Sequence, residues 1–137
     1  MAHLSDALDD LAQNRYMTQA DREAIMHTLT YLATLPEPLC YEEDDRLSFA
    51  AYRLIAASMV DDAFLETWVE SLFVTRTEEI PGLTEQDLTR WIRAANAKNF
   101  LRSLYFRLLW NQKAPSLLER ISAVLRRLDP SPTPGEA

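Results

Sequence analysis

The chain has 137 residues, 47% of them hydrophobic and 26% charged, with two glycines, seven prolines and one cysteine. At this length folding removes roughly two-thirds of the unfolded surface from water, so a core forms without metal or disulfide staples, and the lone Cys40 excludes both an intrachain disulfide and a paired-cysteine metal site. Net charge is −7, yet residues 1–89 hold 18 acids against 5 arginines while residues 90–137 hold 9 bases against 3 acids; an acidic chain of this kind has no bulk attraction for nucleic acid.

Single-cysteine usage suits a reducing compartment, and the expected location is cytoplasmic. Met1 to Asp10 carries three aspartates and no cationic start, unlike a secretion signal. No stretch approaches the roughly 18 to 20 apolar residues of a bilayer span, so membrane insertion is not expected. The charge asymmetry either pairs the two halves internally or gives the molecule two faces of opposite sign.

Scarce glycine and the absence of a two-residue hairpin signal predict an all-α fold. The expected architecture is a compact single-domain bundle of five to seven helices over residues 1–128, followed by a disordered tail over 129–137. A first helix is predicted from Ser5 to Asn14, with Leu4, Leu8 and Leu11 on one side. Thr18 then caps a second helix that runs to Leu35, with Asp21 in its first turn. Pro36 and Pro38 stop it, because proline cannot donate into the ladder. Pro36 to Asp45 connects to a nearly all-apolar helix, Leu47 to Val60, whose only charge is Arg53; a helix apolar all round belongs at the centre of a bundle.

Asp61 and Asp62 break or cap, since one helix from Arg46 to Val74 would be about 43 Å long. Residues 62–74 put Phe64, Leu65, Trp68, Val69, Leu72 and Phe73 on one face and Asp62, Glu66 and Glu70 on another. After Ile80-Pro81-Gly82, Thr84 and Asp87 repeat the capping chemistry. Leu88, Trp91, Ile92 and Ala95 line the next helix. A break near Ala97 to Asn99 separates it from one lined by Phe100, Leu101, Leu104, Tyr105, Leu108 and Leu109. Pro115 opens the last helix, striped by Leu117, Leu118, Ile121, Val124, Leu125 and Leu128.

Catalytic signatures are missing: no glycine-rich phosphate loop, no serine elbow, and only two histidines, His3 and His27. Glu23 and His27 are helical neighbours without further ligands, and Asp62, Glu66 and Glu70 lack the Glu-x-x-His pairs of a carboxylate-bridged metal bundle. These acids read instead as a solvated face or a docking strip for arginines. Glu42 to Asp45 lacks the glycine and spacing of a calcium loop, and Cys40 reads as an incidental thiol. No cofactor and no enzymatic activity are expected.

Partner binding fits the residues best. Six apolar positions already give the helix from Asn99 to Lys113 a core face, and Phe106 and Trp110 fall on its flank beside Arg102 and Arg107. Aromatic and arginine side chains together are enriched at protein interfaces. The aromatic pair either packs against the last or first helix or faces another protein. The expected role is therefore a non-catalytic adaptor, assembly factor or small regulatory subunit that binds a protein through Arg102, Phe106, Arg107 and Trp110, a second copy of the chain included. The alternative is a nucleic-acid-associated regulator using the basic C-terminal third. Two helices around a break at 97–99 would suit a helix-turn-helix, but the second is dominated by Phe, Leu, Tyr and Trp and would read base edges poorly.

Overall fold

A computed structural model describes residues 2–40, 42–73 and 84–129. They form six helices and, among the described residues, no strand. The connection around Ile80-Pro81-Gly82, Val74 and the expected tail beyond Asp129 lie outside the described residues, as does the side chain of His3.

α1 (Ala2–Ala12) packs on α3 (Glu43–Ala56). Of the three leucines expected on one side, Leu8 packs against the core while Leu4 and Leu11 are exposed. The buried face consists of Ser5, Asp9 and Ala12. Small side chains let the helices approach, and Asp9 Oδ2 meets Arg53 Nη1 at 2.6 Å, an ion pair that fixes the helix rotation against its leucine pattern.

α2 (Gln19–Ala33) begins with a capping box, Thr18 accepting from the Asp21 amide at 3.1 Å and Asp21 from the Thr18 amide at 3.0 Å. The Thr18 amide and hydroxyl hold the Asp21 carboxyl below its ordinary value. That capping contribution is present at neutral pH and is lost as the pH falls through the lowered value. The helix ends at Ala33 rather than Leu35. Its end is closed from outside: Arg93 Nε donates to Thr34 O at 2.9 Å, and Asn96 Nδ2 donates to Leu35 O at 2.9 Å and Glu37 O at 2.7 Å.

α3 is the central helix, touching α1, α2 and the long α5 (Glu85–Trp110). It starts earlier than expected, at Glu43, with Glu43, Asp44 and Asp45 in the first turn facing the positive helix end. It also stops earlier, at Ala56. There Ser58 is left-handed (φ 54), and the Ser58 and Met59 amides donate to Ile55 O and Leu54 O at 3.0 Å each, the paired bonds of a Schellman motif. The end of α5 repeats it. Gln112 is left-handed (φ 54), with amide bonds from Gln112 to Leu109 O and from Lys113 to Leu108 O. Both positions cost a side-chain-bearing residue about 1 kcal/mol that glycine avoids. Ser58→Gly and Gln112→Gly should each raise stability by up to about that amount, read from denaturant midpoints; a fall in midpoint would contradict the strain.

Asp61 caps α4 (Asp62–Glu70), accepting from the Phe64 amide at 2.8 Å. Leu65, Trp68, Val69 and Leu72 are buried, with Phe64 and Phe73 packed at the core edge. α5 (Glu85–Trp110), capped by Thr84, runs unbroken for 26 residues, about 39 Å. The break expected at Ala97 to Asn99 does not occur. Ala94, Ala97, Leu101, Leu104 and Leu108 form one uninterrupted buried seam, and no glycine or proline interrupts it. The earlier residues fare differently, Leu88 and Ala95 being exposed and Trp91 and Ile92 half-buried. α6 (Pro115–Leu128) has Pro at its start and buries Leu117, Ile121, Val124 and Leu128, with Leu118 and Leu125 alongside.

Candidate functional site

α5 packs against both α3 and α6. Successive residues turn by about 100°, so Phe106 and Trp110 project roughly 200° and 240° from the inward direction of Leu104. Both are therefore at the surface, Phe106 44% and Trp110 75% exposed. Their ring centroids lie 5.3 Å apart, and Tyr105 meets Phe106 edge-on at 5.5 Å. The two rings thus pack on each other, tilted by 33°.

The two arginines beside it are anchored differently. Arg102 is exposed and reaches Asp129 at 3.4 Å. Arg107 is half-buried: Nη2 donates to Asp45 O at 3.3 Å and its Cζ stands 5.1 Å from the Phe49 ring centroid. Phe49, itself exposed, extends the aromatic surface onto α3. Sequence reasoning missed it, because in a helix apolar all round nothing distinguishes the one aromatic that faces water.

Beside Phe49 opens a cleft of about 290 Å³ lined by Asp6, Asp9, Glu42, Asp45, Arg46 and Arg107. Beneath it Ser103 Oγ donates to Asp45 Oδ1 at 2.6 Å and lies 2.6 Å from Ser48 Oγ. This network stitches α5 to α3. It places two hydroxyls near one carboxylate. His27 sits on α2, its ring edge-on to Phe64 at 5.2 Å. Among the described residues no three His, Cys, Asp or Glu side chains gather into a group that could hold a metal ion. Cys40 is an exposed free thiol.

The acidic row Asp62, Glu66 and Glu70 does not face Arg102 or Arg107. Glu66 meets Arg120 at 3.0 Å and Glu70 meets Arg127 at 2.7 Å, so most of the row is engaged by α6. Arg127 also lies over the Phe73 ring at 4.0 Å. Exposed pairs of this type contribute about 0–1 kcal/mol each, enough to occupy the strip without building a core. The opposite charges of the two halves are thus partly satisfied inside the molecule. Arg93, Arg102, Arg107, Arg120 and Arg127 all have protein partners. Five of the nine bases in residues 90–137 are thus engaged within the molecule, and α5 has no turn at residues 97–99.

No helix among the described residues is long and apolar enough to cross a membrane. The family model described as "Protein of unknown function (DUF2785)" matches residues 1–106. No curated protein and no solved structure matches the chain. The matched region covers the first five helices as far as Phe106 and stops short of Trp110 and α6.

Proposed function

The chain belongs to the DUF2785 family, and from that premise we propose that it is a non-catalytic protein-protein interaction module, an adaptor, assembly factor or small regulatory subunit. Its binding surface is the patch of Arg102, Phe106, Arg107 and Trp110, extended by Phe49. The observation that carries this reading is Trp110, an indole three-quarters exposed at a helix end and packed against a second exposed aromatic. Large aromatics left in water beside arginine have the composition of interface anchors. Arg107 is held in place by Asp45 O, so little side-chain freedom is lost when a partner settles over it. The acids of the adjoining cleft favour a partner that brings positive charge to its rim.

Affinity capture of the tagged chain from its native extract, treated with nuclease and washed at moderate salt, tests this directly. A protein retained in near-stoichiometric amount by the wild type and lost with Trp110→Ser is the expected result. The variant should keep its helical content and melt within about 0.5 kcal/mol of the wild type, because no core is emptied. Destabilisation of several kcal/mol would show that the indole is structural. Nucleic acid retained only without nuclease, and no protein retained with it, would transfer the function to the basic residues of α5 and α6.

A further inference from the structure

α5 carries two seams. The inner one is the buried run Ala94, Ala97, Leu101, Leu104 and Leu108. On the opposite side, Leu88, Ile92, Ala95, Asn99, Arg102, Phe106 and Leu109 recur at alternating steps of four and three along 22 residues. That is the spacing of positions in a two-stranded coiled coil. Leu88 is 56% exposed, and Ala95, Asn99, Phe106 and Leu109 are exposed as well. A single amphipathic helix packed on a bundle needs one seam; among the described residues no other helix covers the second, in which Ile92 is half-buried and Arg102 reaches Asp129.

We propose that this outer seam pairs with the same seam of a second copy, antiparallel, about a twofold axis passing beside Asn99. This names the partner for Arg102, Phe106 and Trp110 of the surface proposed above and rests on that reading. The seam reads nearly the same when reversed about its midpoint. Leu88 then meets Leu109, Ile92 meets Phe106, and Asn99 meets its own copy. Ala95, the smallest side chain, falls opposite Arg102, the longest, whose stem lies over it while the charge reaches water. Trp110 flanks Leu109 and covers the partner's Leu88.

Three further features agree with antiparallel pairing. An amide both donates and accepts, so Asn99 can bond its own copy across a dyad. Charge is complementary: Glu85 and Asp87 stand at one end of α5 and Lys113 just beyond the other, so reversal sets acid against base. Neither Glu85 nor Lys113 is in an ion pair among the described residues. Antiparallel helices also oppose their dipoles favourably. Four large exposed side chains per copy, each covering on the order of 100 Å², bury about 800 Å² over the two copies, the size of a weak, reversible interface.

The test uses the full chain with Cys40→Ser, so that introduced cysteines are the only thiols. Sedimentation at roughly 100 µM should give a dimer, since any micromolar Kd populates it there. Asn99→Cys should oxidise to a covalent dimer. Leu88→Cys mixed with Leu109→Cys should cross-link, and neither should do so alone. Glu85→Lys should weaken association several-fold, with Lys113→Glu restoring it in the double variant. A monomer at that concentration overturns the proposal, as does a dimer in which Leu88→Cys cross-links to itself, which would mean parallel pairing. Failure here is separable from failure of the interaction reading: a monomer whose captured partner still depends on Trp110 loses only the dimer.

Discussion

Trp68→Ala should lower the unfolding free energy by about 3–5 kcal/mol. The indole is fully buried, it meets the Phe100 ring edge-on at 6.1 Å, and Nε1 donates to Met26 O at 3.0 Å. One side chain therefore joins α4, α2 and α5. Removing it empties the volume, loses the aromatic contact and leaves a buried carbonyl short of a donor; each loss is destabilising and none is offset by water. Against the roughly 5–15 kcal/mol typical of a domain, such a loss leaves the fold marginal. Trp68→Phe separates the contributions, because it keeps most of the apolar contact while removing the donor, and should cost about 1–3 kcal/mol. Guanidinium denaturation followed by far-UV circular dichroism reads both. A loss below about 1 kcal/mol for the alanine variant would mean that the three helices do not depend on this anchor.

The contrast between Trp68 and Trp110 shows what the sequence disclosed. Each sits on a helix with a leucine-rich face, and the helical angle decides its fate. Trp68 shares the face of Leu65 and Leu72, whereas Trp110 lies about 240° from Leu104. That arithmetic left core and interface open for Phe106 and Trp110, since a central helix is apolar all round. The structure sets both at the surface.

Four helix starts were legible because their chemistry is local. Thr18, Asp61, Thr84 and Pro115 each mark a beginning that the structure bears out. Helix ends were harder to read. The residues that turn α3 and α5 left-handed are Ser58 and Gln112, not glycine, so the usual stop signal is missing and α3 seemed to continue to Val60. The break expected at Ala97 to Asn99 arose from the polar residues Lys98 and Asn99. Two polar residues between apolar stretches look like a gap when a single face is sought, but Lys98 and Asn99 belong to the side of α5 away from the core. The rotation of α1 was invisible for another reason. It depends on Asp9 meeting Arg53, a pair 44 residues apart that no local pattern announces. The same is true of Glu66 with Arg120 and Glu70 with Arg127, by which α6 engages most of the acidic row.

Asn96 is the second residue on which the fold should prove sensitive, and for a different reason. Its side chain is nearly buried, and its amide donates to Leu35 O and Glu37 O. Those carbonyls belong to the segment Leu35 to Cys40, where Pro36 and Pro38 supply no amide hydrogens. The segment therefore depends on α5 for donors. Asn96→Leu is close in size yet removes both bonds, and should cost about 2–4 kcal/mol. Asn96→Asp should be worse at neutral pH, because it sets a carboxylate against two carbonyl oxygens. Those oxygens and the burial both disfavour its charged form and raise its pKa above the unfolded value. Such a group favours the fold at low pH, and its contribution is lost as the pH rises from about 4 through the raised value. The aspartate variant should accordingly lose stability relative to wild type across that window, whereas the leucine variant keeps a constant deficit. Parallel pH profiles for the two variants would show that Asn96 fills space rather than holding the loop by its amide.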